Sequence, residues 1–262
     1  MKKNKQAILH LALKETVNIV SIFFEVVILK ELCSFIIYSK SSIMPGKQRA
    51  KPRLTRKEKK AQVSALVESA KGAADLLSSL AEWTTYTKHD LDLRIEYKNS
   101  SDLLPMDLDQ IFDLLKQNMK DLYENSEWGW NEDDKLEELK DKDARYLIAR
   151  DPTNKIVGFS HFRFDVEVNY PLLYCYELQI DSQVQRKGLG RHLMSILTLL
   201  AYKFKLLKIL LTVFKDNAAG LNFYRDKLSF GRDETCPYDE EEKCYLILRK
   251  SVDKEEVSKI KY

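Results

Sequence analysis

A chain of 262 residues, 44% apolar and 32% charged, can bury a substantial core under a well-solvated surface, and one domain with extensions is the expected count. The net charge of +3 is too small for a general attraction to nucleic acid, so sequence-specific nucleic-acid binding is not expected. The four cysteines, Cys33, Cys175, Cys236 and Cys244, form no CxxC pair and have no histidine at ligand spacing, which argues against a disulfide framework or a metal site and for a reduced compartment.

Residues 1–43 stand apart as a hydrophobic leader. Residues 16–38 are rich in Ile, Val, Phe and Leu, but Glu25, Lys30 and Glu31 interrupt them. The uncharged run from Thr16 to Phe24 falls well short of the ~20 residues a membrane-spanning helix needs. No small-residue cleavage site follows. The segment reads as an optional leader with Met44 as the working start, and a membrane anchor is the weaker alternative. Residues 44–60 form a basic arm with Lys47, Arg49, Lys51, Arg53, Arg56, Lys57, Lys59 and Lys60 against one acid, Glu58. Nuclear import, a grip on an acidic partner and plain solubility all fit it.

The domain is expected over 61–250, followed by a charged tail, 251–262. Residues 61–80 carry Val63, Leu66, Val67, Ala70, Ala74, Leu77 and Leu80 at helical spacing. Residues 91–97 alternate apolar and polar, as a half-buried strand does. Pro105 opens a helix with Leu108, Ile111, Phe112, Leu115, Met119 and Leu122 inward. It runs into Trp128-Gly-Trp130, two rigid aromatics that either plug the core or wall a cleft. A charged helix over 131–140 and strands over 145–150 and 155–165 follow, the strands joined by Asp-Pro-Thr-Asn. Further strands are expected over 172–180, 207–214 and 244–249. Asn217 is suited to cap a helix carrying Leu221, Phe223 and Tyr224.

Between the strand at 172–180 and the helical stripe Leu189, Leu193, Ile196, Leu200 and Phe204 lies Gln185-Arg-Lys-Gly-Leu-Gly190. A glycine loop entering a helix turns backbone N–H groups towards one point at the positive end of the helix dipole, which suits a phosphate. No Gly-Lys-Ser/Thr closes it and no third glycine is in register, so it is neither a P-loop nor a dinucleotide fingerprint.

Strand, Gln-x-x-Gly-x-Gly loop, helix, strand, then Asn217 leading to Phe223-Tyr224 and Phe230 resemble the GNAT acetyltransferases. The spacing from Asn217 to Phe230 is one residue longer than the commonest form. Tyr123-Glu-x-Ser-Glu-Trp-Gly-Trp130, Phe159-Ser-His-Phe-Arg-Phe-Asp-Val-Glu167, Leu173-Tyr-Cys-Tyr-Glu177 and Leu211-Thr-Val-Phe-Lys215 are similar to the N-alpha-acetyltransferase D family, which acetylates the N-terminal serine of histones H4 and 2A. The resemblance spans about 44–249, and the leader has no counterpart in it. It implies an α/β GNAT fold, a mixed central twisted sheet flanked by helices, working as a monomer in nucleus and cytoplasm on histone tails.

It also implies site residues. Acetyl-CoA, with no metal, would lie along the backbone of Leu178, Gln179 and Ile180, its pyrophosphate held by Arg186, Lys187, Gly188, Leu189, Gly190 and Arg191, and Asn217 would meet it further on. The substrate set would be Tyr123, Trp128, Asp165, Glu167, Tyr174, Tyr176, Thr212 and Tyr245. Asp165 and Glu167, two apart on a strand, share a face and suit the Arg of a Ser-Gly-Arg-Gly tail, although they also fit as solvated strand-end charges. An α-amine, with a pKa of about 7.7–8.0, is easier to deprotonate than lysine at about 10.4, so one carboxylate acting through water suffices. Glu177 is the candidate base. Simple alternation places it on the opposite face from Tyr174 and Tyr176 unless a bulge intervenes. Should Glu177 be structural, Tyr176 or Tyr174 takes the role, and Tyr245 orients the amine or protonates the thiolate. His161 reads as structural. The rivals are lysine ε-acetylation and a chromatin-binding module with a vestigial acyl-CoA pocket.

Overall fold

The computed structural model describes residues 55–260, which lie in the second of two compact units, beginning at Leu54. The leader, the arm up to residue 54 and the last two residues fall outside the described residues. Helix α1 (Arg56–Lys71) starts five residues before the expected 61, because the start is set by a cap rather than by the apolar stripe. Thr55 accepts from the Glu58 N–H and the Glu58 carboxylate returns to the Thr55 N–H, closing a capping box. The helix also stops early, at Gly72, and in the loop that leads into a 3-10 turn at Ala81–Thr84 Leu77 of the stripe is buried beside Leu76, a residue outside the stripe, while Ala74 is exposed.

Helix α2 (Pro105–Glu124) opens with proline in its first turn, where no N–H is needed, and α3 (Glu132–Lys140) is capped by Asn131, whose side chain accepts from Asp133 and Asp134 N–H. Helix α4 (Leu189–Lys203) follows the glycine loop. Asn217 caps α5 (Ala218–Leu221), which widens into a π-helical stretch, Asn222–Lys227. The expected tail contains α6 (Lys254–Ser258), fastened by the Lys250–Glu256 ion pair at 3.2 Å.

The strands are β1 (Thr85–Tyr86), β2 (Leu93–Asn99), β3 (Arg145–Arg150), β4 (Ile156–Glu167), β5 (Tyr170–Ile180), β6 (Lys208–Phe214), β7 (Gly231–Arg232) and β8 (Tyr245–Ser251). They form one sheet in the order β1-β2-β3-β4-β5-β6-β8-β7, antiparallel except for the β5–β6 pair, which the α4 crossover joins in parallel. Sequence did not foresee β1 and β7. Two residues are too few to show an alternation.

Both faces of the sheet are covered, so β3 is buried along its whole length. Leu147 and Ala149 face the core shared with α1 and α4, while Tyr146 and Ile148 face the core shared with α2 and α3. β5 and β6 pair only from Leu172–Lys208 to Cys175–Leu211. Beyond that point β5 runs on to Ile180 and β6 to Phe214 without backbone pairing, and the sheet is open between them. No helix among the described residues is long and apolar enough to cross a membrane.

Candidate active site

The opening between β5 and β6 leads into a cavity of about 880 Å³. Its chemistry depends on an irregularity in β5. Across the β4–β5 ladder Phe162 pairs with Cys175 and His161 with Glu177, so Tyr176 is an extra, unpaired residue: a β-bulge. The phase of the strand flips there. Leu173 and Cys175 before the bulge, and Leu178 and Ile180 after it, all pack on the α4 side. Glu177 and Gln179 consequently join Tyr176 on the α2–α3 side, where Gln179 meets Asn118 of α2 and Glu177 meets Lys135 of α3.

Glu177 is 6% exposed. Its Oε2 accepts from Gln179 Nε2 at 2.8 Å and its Oε1 lies 3.7 Å from Lys135 Nζ. Burial pushes its carboxyl up to about 7, with Lys135 opposing and Glu138 adding to the rise. Lys135 donates to the Tyr123 hydroxyl at 2.6 Å and to Glu138 Oε2 at 3.2 Å. Although burial works against its charge, the Glu177 and Glu138 carboxylates hold its ammonium above the ordinary lysine range. The Tyr123 phenol is pushed up to about 12, first by burial and then by Glu177.

Around this cluster the walls are aromatic. Tyr123, Phe214 and Trp128 pack with centroids 4.9–6.1 Å apart, Tyr123 edge to face with Phe214 and Trp128 tilted to both, and Tyr245 lies 4.9 Å from the Trp128 ring. The two tryptophans divide the alternatives between them. Trp128 is 46% exposed and lines the cavity, whereas Trp130 packs with Phe112 on the α2–α3 core. Tyr174 and Thr212 share a hydrogen bond of 2.6 Å across the mouth of the opening. Tyr176 stacks on His161 at 5.0 Å, and His161 stacks on Tyr146 at 5.2 Å. Burial, with Arg163 and Lys135 nearby, drops His161 to about 3, so the imidazole is neutral and acts as a flat spacer.

At the other end of the cavity the edge of β5 from Tyr176 to Ile180 that faces β6 has no partner strand. The α4 N-terminus points into the same space with no side-chain cap on its N–H groups. Gly188 sits at φ +84°, and a Cβ there would meet the Tyr86 hydroxyl at 2.4 Å, the hydroxyl that donates to the Lys187 carbonyl at 2.6 Å. A Cβ on Gly190 would reach Phe223 at 3.2 Å. Arg186, Arg191 and Asn217 also line this end. An extended acyl carrier with a pyrophosphate fits these features: a free strand edge for amides, bare N–H groups and cations for phosphates. Gly188→Ala is expected to cost ~1–3 kcal/mol in stability, and to raise the Kd for acetyl-CoA about tenfold by displacing the loop N–H groups, about 1.4 kcal/mol. Calorimetry on this variant beside Gly72→Ala, whose φ of −78° tolerates alanine, isolates the effect of the loop.

The acetyltransferase (GNAT) family model matches residues 108–230, from α2 through the end of the π-helical stretch. Residues 108–230 thus match the acetyltransferase (GNAT) family, and the open, mostly antiparallel sheet with its flanking helices is the GNAT fold. Among solved structures the chain is similar to a GNAT-family acetyltransferase from Staphylococcus aureus Mu50, at 11% identity over 61% of this chain and 99% of that one, with a TM-score of 0.47. It is also similar to the NatC complex bound to Gag peptide and CoA, at 19% identity over 61% and 99%, TM-score 0.45. A third is the PaiA N-acetyltransferase from Thermoplasma acidophilum in complex with coenzyme A, at 18% identity over 60% and 98%, TM-score 0.44.

Of the substrate residues expected in the GNAT domain, Tyr123, Trp128, Tyr174, Tyr176 and Thr212 line the cavity together with Glu177. Tyr245 does not reach the lining. As the residue opposite Phe214 on β8, it packs against Trp128. Asp165 and Glu167 lie at the far end of β4, outside the lining. Asp165 is exposed and accepts from the Val166 N–H at 2.7 Å, and Glu167 is half-buried. They remain in electrostatic reach of the site: the Tyr176 phenol is raised by burial and also by Asp165, and the Tyr174 phenol, pushed up to about 12 by burial, is raised further by Glu167. Of the expected cofactor residues, Leu178, Gln179, Ile180, Arg186, Gly188, Leu189, Gly190, Arg191 and Asn217 line the cavity, and Lys187 contributes its carbonyl to Tyr86 instead. Among the described residues no group of His, Cys, Asp and Glu could hold a metal ion.

Two cavity residues had no signal in the sequence, and a third, Tyr224, was legible only as a member of its helix and given no site role. Lys135 and Glu138 belong to a helix whose composition reads as plain solvated charge. Tyr224 lines the cavity, its phenol held well above the ordinary range by burial, with Cys175 and Glu177 adding to the rise.

Proposed function

We propose that the GNAT domain is an acetyl-CoA-dependent N-terminal α-amino acetyltransferase acting on protein N-termini of the Ser-Gly-Arg-Gly type, as in histone H4 and histone 2A tails. The bulge at Tyr176 carries this reading. Because of it, a buried carboxyl with a pKa of about 7 shares a wall with Tyr174 and Tyr176 where the sheet opens towards the free β5 edge. A base titrating near 7 is matched to an α-amine of pKa about 7.7–8.0 and poorly matched to a lysine at about 10.4.

When bound, acetyl-CoA supplies the thioester. Glu177 accepts a proton from the amine, directly or through one water, as the new N–C bond forms and the C–S bond breaks. Tyr224, a phenol kept protonated by burial, is the available donor to the departing thiolate. Tyr123, Trp128 and Phe214 bound the space for the first side chain and favour a small one. Asp165 and Glu167, outside the cavity lining but in electrostatic reach of Tyr176 and Tyr174, would supply the anion for a guanidinium two residues along the peptide.

Full-length protein with acetyl-CoA and three peptides tests this by mass spectrometry. The free-amine Ser-Gly-Arg-Gly peptide is expected to be acetylated at its N-terminus, and the amine-blocked peptide to be unmodified. Replacing Arg by Ala in the peptide should lower kcat/KM roughly tenfold or more, the loss of a charge-assisted contact. Acetyl groups on internal lysines of the blocked peptide would assign the domain to lysine ε-acetylation instead.

A further inference from the structure

Among the described residues Lys135 is the cation in ion-pair contact with Glu177, at 3.7 Å, and nothing in the reaction proposed above uses it. It reaches the cavity from α3, the helix that Asn131 caps and Leu139 anchors in the core. On one turn of that helix Lys135 and Glu138 stand three residues apart and bond each other at 3.2 Å. The ammonium has no freedom to swing out to solvent. Tyr123 holds it at 2.6 Å and Glu138 from a second direction, and its side chain is only 13% exposed. Since Lys135 donates to the Tyr123 oxygen, the Tyr123 proton must point elsewhere. One fixed charge thereby orients both a phenol and a carboxylate of the cavity.

We propose that Lys135 is a positioning residue for the acid–base site, favouring the ionised form of Glu177 and turning the Tyr123 hydroxyl proton away from itself into the cavity. The inference rests on Glu177 being the base of the reaction proposed above. The titratable groups in electrostatic contact with Glu177 include Lys135 and Glu138 on α3, Tyr123 on α2, Tyr146 on β3, Cys175 on β5 and Tyr224 on the π-helical stretch, and His161 on β4 pairs with it across the ladder as a neutral imidazole that accepts from Arg163 at 3.3 Å. Burial keeps the three phenols and the thiol protonated at neutral pH. Lys135 and Glu138 act on Glu177 in opposite directions, the ammonium lowering it and the carboxyl raising it.

The opposite signs provide the test. In full-length protein labelled at glutamate carboxyl carbons, with the Glu177 signal assigned by its loss in Glu177→Gln, Lys135→Gln is expected to raise the Glu177 titration midpoint by ~1–3 pH units. Glu138→Gln should lower it, and Lys135→Arg should leave it within a few tenths of a unit. The acidic limb of kcat/KM for the free-amine peptide should move with it, so that Lys135→Gln loses about tenfold or more at pH 6.5 and recovers as pH rises. A midpoint that stays put in a folded, acetyl-CoA-binding Lys135→Gln protein overturns the proposal, as does a downward move. Should Lys135→Gln fail to fold, the downward shift in Glu138→Gln decides alone, its absence counting against the proposal. Shifts of the expected signs in a protein that acetylates no N-terminus would refute the function and leave the Lys135–Glu177 coupling standing.

Discussion

Glu177→Gln is expected to lower kcat for N-terminal acetylation by ~10²–10⁴-fold while acetyl-CoA still binds. The substitution keeps shape and one hydrogen-bonding oxygen, and it leaves the backbone of the free β5 edge, the α4 N-terminus and the glycine loop unchanged. A pH profile gives the sharper criterion. Wild-type kcat/KM should rise through an acidic limb at about 7, and that limb should vanish in the variant. Stability should move the other way. The carboxyl titrates at about 7 when folded and near the ordinary 4.5 when unfolded, so the native state binds the extra proton between those values. Wild-type stability therefore falls as pH rises from about 4.5 to 7, by at most ~3 kcal/mol. The glutamine variant lacks this loss, and Lys135 retains Tyr123 and Glu138 as partners. Urea unfolding should show the variant equal to wild type at pH 4 and more stable at pH 8. An active, pH-shifted Glu177→Gln enzyme would remove Glu177 from the chemistry.

Lys208→Met is expected to destabilise the domain by ~3–5 kcal/mol at neutral pH. Lys208, the first residue of β6, is bonded to Asp233 at 2.8 Å, with side chains 7% and 0% exposed. This pair ties β6 to the segment after β7. Methionine fills the stem but leaves a buried carboxylate with only the Thr235 N–H and hydroxyl as donors, at 3.0 and 2.7 Å. Burial alone would raise the Asp233 carboxyl, and its bonds to Lys208 and Thr235 hold it below the usual range. A lowered folded pKa stabilises above the unfolded value and is lost as pH falls through the folded one. The penalty of Lys208→Met should accordingly be largest at neutral pH and shrink towards pH 4, where the stranded carboxyl can protonate. Adding Asp233→Asn should recover much of the loss, a coupling that a double-mutant cycle measures directly. Lys208 also opposes the burial-driven rise of the Glu167 carboxyl, so the variant should make Glu167 a weaker anion for a substrate guanidinium.

The sequence by itself determined the fold and the cofactor end of the cavity. Alternation, helical stripes and capping residues are local signals, so β3, α2, α3 and the Asn217 cap were legible to within a residue or two. The glycine loop was equally legible, since a left-handed Gly188 at a strand-to-helix turn is a property of a few consecutive residues. Even where the locality was right, a cap could outrank a stripe: Thr55 and Gly72, and no apolar periodicity, set the ends of α1. What only the tertiary structure decided is the acid–base cluster. Whether Glu177 faces the tyrosines depends on Tyr176 being left unpaired, and that depends on the register of β4 against β5, which no pattern within residues 170–180 specifies. Which tryptophan plugs the core and which walls the cavity depends on how α2 lies across the sheet. Lys135 reads as one more solvated charge until α3 packs beside β5 and withdraws it from water, because the field at a carboxylate comes from whatever the fold brings within a few ångströms.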